Sequence, residues 1–126
     1  ETFKIFSENL KNTKKNIKEL IQNIQNDKKI IAGFGAARSG TTLISQMEIG
    51  KSIKYIVDDN QSKQGKYSPG DHILVRPTSY MYENFPDYMI ILAWVHSKNI
   101  IKDHQKYLNM GGSFIVCFPE LKIIKK

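Results

Sequence analysis

The 126-residue sequence predicts a Rossmann-like, three-layer α/β domain. First, short apolar runs that suit buried strands alternate with polar stretches of helical period. Second, the apolar run Lys29–Phe34 leads into glycines and then into small and hydroxyl residues, as where a buried strand turns into a helix. Third, Gly111-Gly112 separates the last predicted helix from the last apolar run. We therefore expect a mainly parallel sheet of about five strands with helices on both faces.

Composition and charge indicate one globular domain in a reducing compartment. Apolar residues make up 40% of the chain, charged residues 25%, and the single cysteine, Cys117, has no partner for an internal disulfide. No apolar run approaches the roughly 20 residues that span a bilayer, and the first ten residues do not resemble a signal peptide. We expect a cytoplasmic protein that does not enter a membrane.

The net charge of +7 can be interpreted in two ways, as a site that attracts phosphates or as a solvated lysine-rich surface. A basic chain attracts phosphates and nucleic acids, but these lysines are not interleaved with aromatic residues as in a nucleic-acid groove. A lysine-rich solvated surface is the favoured interpretation, and we expect no nucleic-acid partner.

The chain is predicted to form one domain over residues 1–126, with a long helix in 1–28, an α/β core in 29–120 and a basic tail in 121–126. The helix is expected over 3–27, because apolar residues recur there at steps of three and four. It either covers one face of the sheet or also reaches another domain or subunit. The remaining elements alternate along the core. Strands are expected over 29–34, 53–57, 72–75, 88–94 and 113–118, and helices over 40–47, 78–83 and 97–108.

The glycine turn after the first core strand is the clearest candidate for a ligand site. A helix that begins there presents unpaired backbone amides and a partial positive charge, both of which attract phosphate. However, Gly35 and Gly40 are five residues apart, whereas a dinucleotide fingerprint needs three, and no Walker lysine follows. A plain strand-to-helix turn that binds nothing is an equal alternative.

Other polar residues follow the predicted strands, and the carboxyl ends of parallel strands meet at one edge. Asp58 could bind a ribose diol or cap a turn, and Trp94 could cover a sugar ring or join the core. His96 is a weak candidate for an acid or base, without an evident orienting neighbour. The histidines and Cys117 lack metal-ligand spacing, so no metal is predicted.

Four blocks resemble the C-terminal domain of the S-adenosylmethionine-dependent sugar C-methyltransferases, over roughly residues 3–120. They are Gly33–Leu43, Tyr55–Gly70, Asp87–Trp94 and Gly111–Glu120, and the second contains the specific pattern Asp-x-Asn-x-x-Lys-Gln-Gly-x-Tyr-x-Pro-Gly. Two positions depart from the family: Ser39 stands where a basic residue is usual, and Val95 where asparagine is frequent.

The resemblance implies that this domain helps to hold a nucleotide-linked keto-deoxysugar, most commonly a dTDP-sugar. It implies that another domain, of the same polypeptide or of a partner chain, holds S-adenosylmethionine and the catalytic base. This chain is then expected to hold no cofactor and no catalytic residue of its own. The expected substrate-binding residues are Gly33, Gly35, Ala36, Arg38, Ser39, Gly40, Thr41, Asp58, Asn60, Lys63, Gln64, Tyr67 and Trp94.

Two alternatives remain at this point. The chain could be a stand-alone Rossmann-like domain that binds NAD, S-adenosylmethionine or coenzyme A in the glycine turn. It could also be a degenerate structural or interaction module that docks to a partner through its first helix.

Overall fold

The computed structural model describes residues 3–5, 10–35, 50–59, 64–67, 73–117 and 121–125. In this part of the chain seven strands form one sheet. They are β1 (Phe3–Ile5), β2 (Ile31–Phe34), β3 (Ile56–Val57), β4 (Val75–Arg76), β5 (Tyr88–Ile91), β6 (Ser113–Val116) and β7 (Leu121–Ile124). The helices are α1 (Leu10–Asn26), α2 (Tyr80–Glu83), α3 (Ser97–Asp103) and α4 (Gln105–Asn109), with 3₁₀ turns at Gly50–Ser52 and Trp94–His96.

The strand order is β1-β7-β6-β5-β2-β3-β4. The five strands from β6 to β4 are mutually parallel, whereas β7 pairs antiparallel with both β6 and β1. Counted along the chain, the parallel strands follow the order 3-2-1-4-5 of doubly wound nucleotide-binding sheets. The predicted Rossmann-like sheet is therefore confirmed, and two antiparallel strands extend its β6 edge.

The basic tail expected over 121–126 is wrong, because Leu121–Ile124 forms β7. Leu121 is buried and belongs to the core, while Ile123 and Ile124 are half-buried. The lysines around these apolar residues dominated the sequence pattern, and the alternation was too short to be recognised as a strand. Pairing with β6 and β1 satisfies the backbone groups of this segment.

The first helix begins later than expected, because Phe3–Ile5 forms β1. α1 has 17 residues and is about 25 Å long. Its buried stripe comprises Ile17, Ile21 and Ile24, with Leu20 packed beside it. The spacing of Phe3 and Phe6 is helical, which is why the sequence predicted a helix from residue 3. In the structure Phe3–Ile5 instead pairs with β7, whose edge would otherwise be unpaired.

Helices lie on both faces of the sheet, as expected. One apolar cluster joins α1 to the side chains of Ile31, Ile56, Ile90 and Ile115, and Cys117 completes it. The other cluster joins α2, α3 and α4 to Phe34, Val57, Met89 and Phe114. Alternating residues of β2 and β5 enter opposite clusters, which is the behaviour of strands buried on both faces.

The helix predicted over 97–108 is divided in two at His104, whose φ of −119° and ψ of 39° are not helical. Gly111, with a φ of 99°, ends α4 as the Gly-Gly pair predicted. Helical residues follow Pro77 as expected, in α2. The helix predicted over 40–47 lies outside the described residues. None of the described helices is long and apolar enough to cross a membrane.

Gly112 is required by close packing rather than by its backbone conformation. A Cβ placed there would lie 2.2 Å from the Tyr107 ring. That ring is fully buried, contacts Phe114 at a centroid distance of 5.0 Å, and its hydroxyl donates a hydrogen bond of 2.9 Å to the Pro86 carbonyl. The ring therefore has little freedom to move away.

We expect Gly112→Ala to lower the free energy of unfolding by about 1–3 kcal/mol, because the added methyl overpacks a fixed ring. Gly111→Ala is the matched control, since it strains a positive φ but meets no atom within 4 Å. Urea denaturation of both variants would measure the difference. A loss in Gly112→Ala no larger than in Gly111→Ala would contradict the packing argument.

Candidate functional site

The switch point of the sheet lies between β2 and β5. Phe34 is in register with Ile91, and the chain continues from β2 toward β3 on one side and from β5 toward β6 on the other. The Phe34 carbonyl accepts hydrogen bonds from the amides of Leu92 (2.8 Å) and Ala93 (3.2 Å). In sheets of this kind the connections diverge here and leave a crevice outside the carboxyl ends of the strands.

Gly35 stands at this crevice, and no other residue fits there. Its φ is 99°, and a Cβ would lie 2.5 Å from the Cβ of Ala93. The glycine turn predicted from the sequence is therefore a position of close backbone approach.

The amides of the first two glycines are engaged in the sheet. The amide of Gly35 donates to the Val57 carbonyl at 2.8 Å, and that of Gly33 to the Tyr55 carbonyl at 2.8 Å. A Cβ on Gly33 would lie 2.7 Å from the Leu92 side chain. These two amides are therefore not available to donate to a phosphate.

Asp58 follows the next strand at the same edge. Its amide donates to the Arg76 carbonyl at 3.0 Å, and its carbonyl accepts a 2.8 Å hydrogen bond from Nε2 of Gln64. Asp58 is half-buried and Asp59 is exposed. The structure thus brings Asp58 and Gln64 together at the edge of the sheet that carries the glycine turn.

Tyr67 lies farther away. It forms an antiparallel bridge with Leu74 on the outer side of β4, and its side chain is 63% exposed. Three strand spacings separate it from β2, which corresponds to about 14 Å. Tyr67 can therefore contact only a ligand that extends along the edge, well beyond the switch point.

Trp94, Val95 and His96 form the 3₁₀ turn after β5. Trp94 is half-buried and packs against the α1 side of the core, while Val95 and His96 are exposed. Trp94 thus stands at the predicted edge and contributes to the core as well. The other predicted site residues lie outside the described part of the chain: Ala36, Arg38, Ser39, Gly40, Thr41, Asn60 and Lys63.

A histidine–tyrosine pair that the sequence did not reveal lies next to this edge. The Tyr82 hydroxyl and Nδ1 of His104 are 2.9 Å apart, and the His104 ring lies 5.0 Å from the Phe34 ring between centroids. Lys106 lies over the Tyr82 ring at 4.9 Å. The residues are 22 positions apart in the chain, so no local pattern could have linked them.

Burial sets the protonation of this pair. It lowers the pKa of His104, which the carboxylates of Asp59 and Asp103 partly oppose, and it raises the pKa of Tyr82. The imidazole is therefore neutral at pH 7. Nδ1 of His104 accepts a hydrogen bond from the Tyr82 hydroxyl or donates one to it, depending on the tautomer, and either arrangement ties α2 to the residue that divides α3 from α4.

Arg76 is a second residue that the sequence analysis missed. It ends β4 at the carboxyl edge, and its guanidinium lies 4.6 Å from the centroid of the Tyr80 ring. Tyr80 in turn contacts Tyr55 edge-on at 4.7 Å, and the Tyr55 hydroxyl donates to the Asn84 carbonyl at 2.6 Å. The aromatic support holds a cation on the side of the edge where Asp58 lies.

The described residues contain no cluster of three or more histidine, cysteine or acidic residues that could hold a metal ion. Cys117 is fully buried, and burial raises its pKa to about 12, so the thiol stays protonated at neutral pH.

The strand order and the glycine at the switch point define a Rossmann-like domain. Within that class, the sequence profile described as "C-methyltransferase C-terminal domain" matches residues 1–119, and the chain belongs to this family. The resemblance stated from the sequence blocks is thereby confirmed at the level of the C-methyltransferases.

Among curated proteins, the chain is similar to the C-methyltransferase NovU of Streptomyces niveus. The two are 35% identical over 109 residues, which cover 86% of this chain and 26% of the relative. The chain thus spans about a quarter of the length of that protein.

Among solved structures, UDP-D-quinovosamine 4-dehydrogenase from Vibrio fischeri aligns with a TM-score of 0.49 and 18% identity. The alignment covers 69% of this chain and 75% of that one.

Because the pKa of His104 is lowered on folding, the unfolded chain takes up a proton first as the pH falls. The contribution of the neutral imidazole to stability is complete above pH 6.5 and is lost as the pH falls toward the folded pKa. We expect the free energy of unfolding to decrease between pH 7 and pH 5, and less steeply in His104→Gln. Denaturant unfolding at each pH measures this slope.

His96 is exposed and provides the control. In His96→Gln the free energy of unfolding should change with pH as steeply as in the wild type, because His104 is still present. Equal slopes in wild type and His104→Gln would show that the pair does not titrate as described.

Proposed function

We propose that this chain is the nucleotide-sugar-binding domain of an S-adenosylmethionine-dependent C-methyltransferase that acts on a keto-deoxysugar nucleotide. One observation carries the proposal: in a chain of the C-methyltransferase family, Gly35 follows β2 at the switch point and Asp58 follows the neighbouring strand β3 at the same edge. Such a crevice is where doubly wound sheets bind phosphorylated ligands.

The chemistry explains why a methyltransferase would need such a domain. A ring carbon becomes a nucleophile only after it loses a proton next to a carbonyl, so a base and a methyl donor must be positioned against the sugar. The nucleotide is remote from the reacting carbon, and energy from binding it can be used to orient the sugar. S-adenosylmethionine would supply the methyl group from another domain.

Each part of the proposed site has a separate role. Gly35 lets the diphosphate approach the backbone, and the amides of residues 36–41 together with Arg38 would bind its oxygens. Asp58, braced by Gln64, would accept hydrogen bonds from the nucleoside sugar. Tyr67 and Trp94 would contact the two ends of an extended ligand. This chain would bind and orient the substrate without reacting with it.

The direct test is a titration of the full chain with dTDP or a dTDP-sugar, followed through backbone amide shifts. We expect saturable shifts at Gly33–Thr41 and at Asp58. NAD, S-adenosylmethionine and coenzyme A, tested in parallel, should leave these amides unmoved. Amide shifts produced by S-adenosylmethionine but not by dTDP would favour a stand-alone cofactor domain. If no ligand, including dTDP at millimolar concentration, changes any amide shift, the interaction-module alternative is favoured.

Asp58→Asn should weaken dTDP-sugar binding by about tenfold, as expected for the loss of a charge-assisted hydrogen bond to a hydroxyl of the ligand. Asp103→Asn is the control, because it removes the same charge from an exposed position on α3. Calorimetric titration of both variants measures the difference. Equal affinities in the two would remove Asp58 from the site.

Arg38→Ala should weaken binding of the diphosphate in the same way, and more strongly at low salt, because the interaction is between opposite charges. Lys54→Ala removes one positive charge from an exposed position just before β3, at the opposite edge of the sheet, and should have little effect. If the two variants bind dTDP alike at low and high salt, Arg38 does not contact the diphosphate.

A further inference from the structure

A cavity of about 310 Å³ lies at the opposite edge of the sheet, where the parallel strands begin. Its lining residues include Lys29, Asp87, Ser113, Lys125 and the two glycines Gly111 and Gly112. None of these residues belongs to the proposed nucleotide-sugar site, which lies beyond the other ends of the strands. Its volume falls at the lower end of the range for small-molecule pockets.

The register of the sheet brings the polar side chains together. Ser113 pairs with Tyr88 on the neighbouring strand, and Tyr88 pairs with Ile31 on the strand after that. Ile31 lies two residues after Lys29 in the chain. On the other side, Phe114 pairs with Ile124, which places Lys125 opposite Ser113. Side chains alternate along β6, so Ser113 lies on the same face as Ile115, which packs against α1, while Lys29 and Lys125 lie just outside the ends of β2 and β7.

Ser113 is the feature that points to a ligand. It is only 7% exposed and is the one polar residue among the buried residues of the described chain. Its backbone is paired, with the amide donating to the Asp87 carbonyl at 3.3 Å, but its Oγ makes no hydrogen bond to any described residue. A buried hydroxyl is ordinarily hydrogen-bonded, so an acceptor inside the cavity would satisfy it.

The charges favour an anion. Two basic residues, Lys29 and Lys125, are among the lining residues, against one acidic residue, Asp87. Oδ2 of Asp87 already accepts a 2.7 Å hydrogen bond from the Ile30 amide, which fixes its orientation. A Cβ at Gly111 would meet no atom within 4 Å, so no side chain obstructs that wall.

We propose that this cavity binds a small molecule through a phosphate or carboxylate group. The two lysines pair with the anion, and the Ser113 hydroxyl donates a hydrogen bond to one of its oxygens. The site is independent of the nucleotide-sugar site, because the length of the strands separates them.

The test uses the full isotopically labelled chain and two probes, inorganic phosphate and acetate, at constant ionic strength with chloride as the reference. We expect either probe to produce saturable amide shifts at Gly111, Gly112 and Ser113. Shifts with phosphate alone identify a phosphate site, and shifts with both identify a site for either anion. Shifts identical to those of chloride, or no shifts there, would overturn the proposal.

Variants assign the binding to the cavity. The double variant Lys29→Ala/Lys125→Ala should bind the probe about tenfold more weakly, as expected for the loss of charge-assisted hydrogen bonds. Lys98→Ala/Lys102→Ala lowers the net charge equally on α3 and should retain the affinity. Equal weakening in both would show a general effect of charge, which contradicts a site.

Ser113→Ala separates ligand binding from folding. If the hydroxyl serves the ligand, the variant binds the probe more weakly while its free energy of unfolding stays the same or rises, since a buried unpaired hydroxyl is removed. Unchanged affinity would exclude Ser113 from the site.

A titration in saturating dTDP distinguishes the two proposals. If the anion probe still shifts the amides of Gly111–Ser113 when dTDP is present, the cavity site is supported, whether or not dTDP shifts the amide of Gly35. Shifts confined to Gly33 and Gly35 would leave the nucleotide site standing and refute the second one.

Discussion

The close approach of β2 and β5 at the switch point is the constraint on which the carboxyl edge depends. Gly35 can follow β2 only because it has no side chain to collide with Ala93, and the Phe34 carbonyl holds the start of the turn after β5 through two amides. With these strands in register, β3 places Asp58 beside the turn, and β5 places Trp94 across from it. A larger residue at position 35 would separate the strands that assemble the site.

The two edges of the sheet have different chemistry. At the carboxyl edge, glycines, acidic residues and the Arg76–Tyr80 contact surround a crevice, and the histidine–tyrosine pair braces the helices behind it. At the amino edge, two lysines and a buried serine line a cavity that is open to solvent. The antiparallel strands β7 and β1 cover the β6 side of the sheet and complete the wall that carries Lys125.

Patterns that repeat locally were readable in the sequence. The apolar runs at Lys29–Phe34 and Tyr88–Trp94 predicted central strands, because a strand buried on both faces must be apolar throughout. Gly35 was recognised as a turn residue, and Asp58 was placed at the same edge from its position after a strand. The first strand and the last escaped notice, since each is short and becomes a strand only through pairing with a distant partner.

The sequence by itself determined the class of fold, the glycine turn and the membership of the C-methyltransferase family, because each depends on residue types at fixed spacings. Only the tertiary structure decided which distant side chains meet. Helix packing brings His104 to Tyr82, and strand register brings Arg76 to the edge beside Asp58. Strand register also places Lys29, Ser113 and Lys125 around one cavity. No spacing along the chain encodes these arrangements. Tyr67 shows the same limit, since its distance from the switch point follows from the order of the strands.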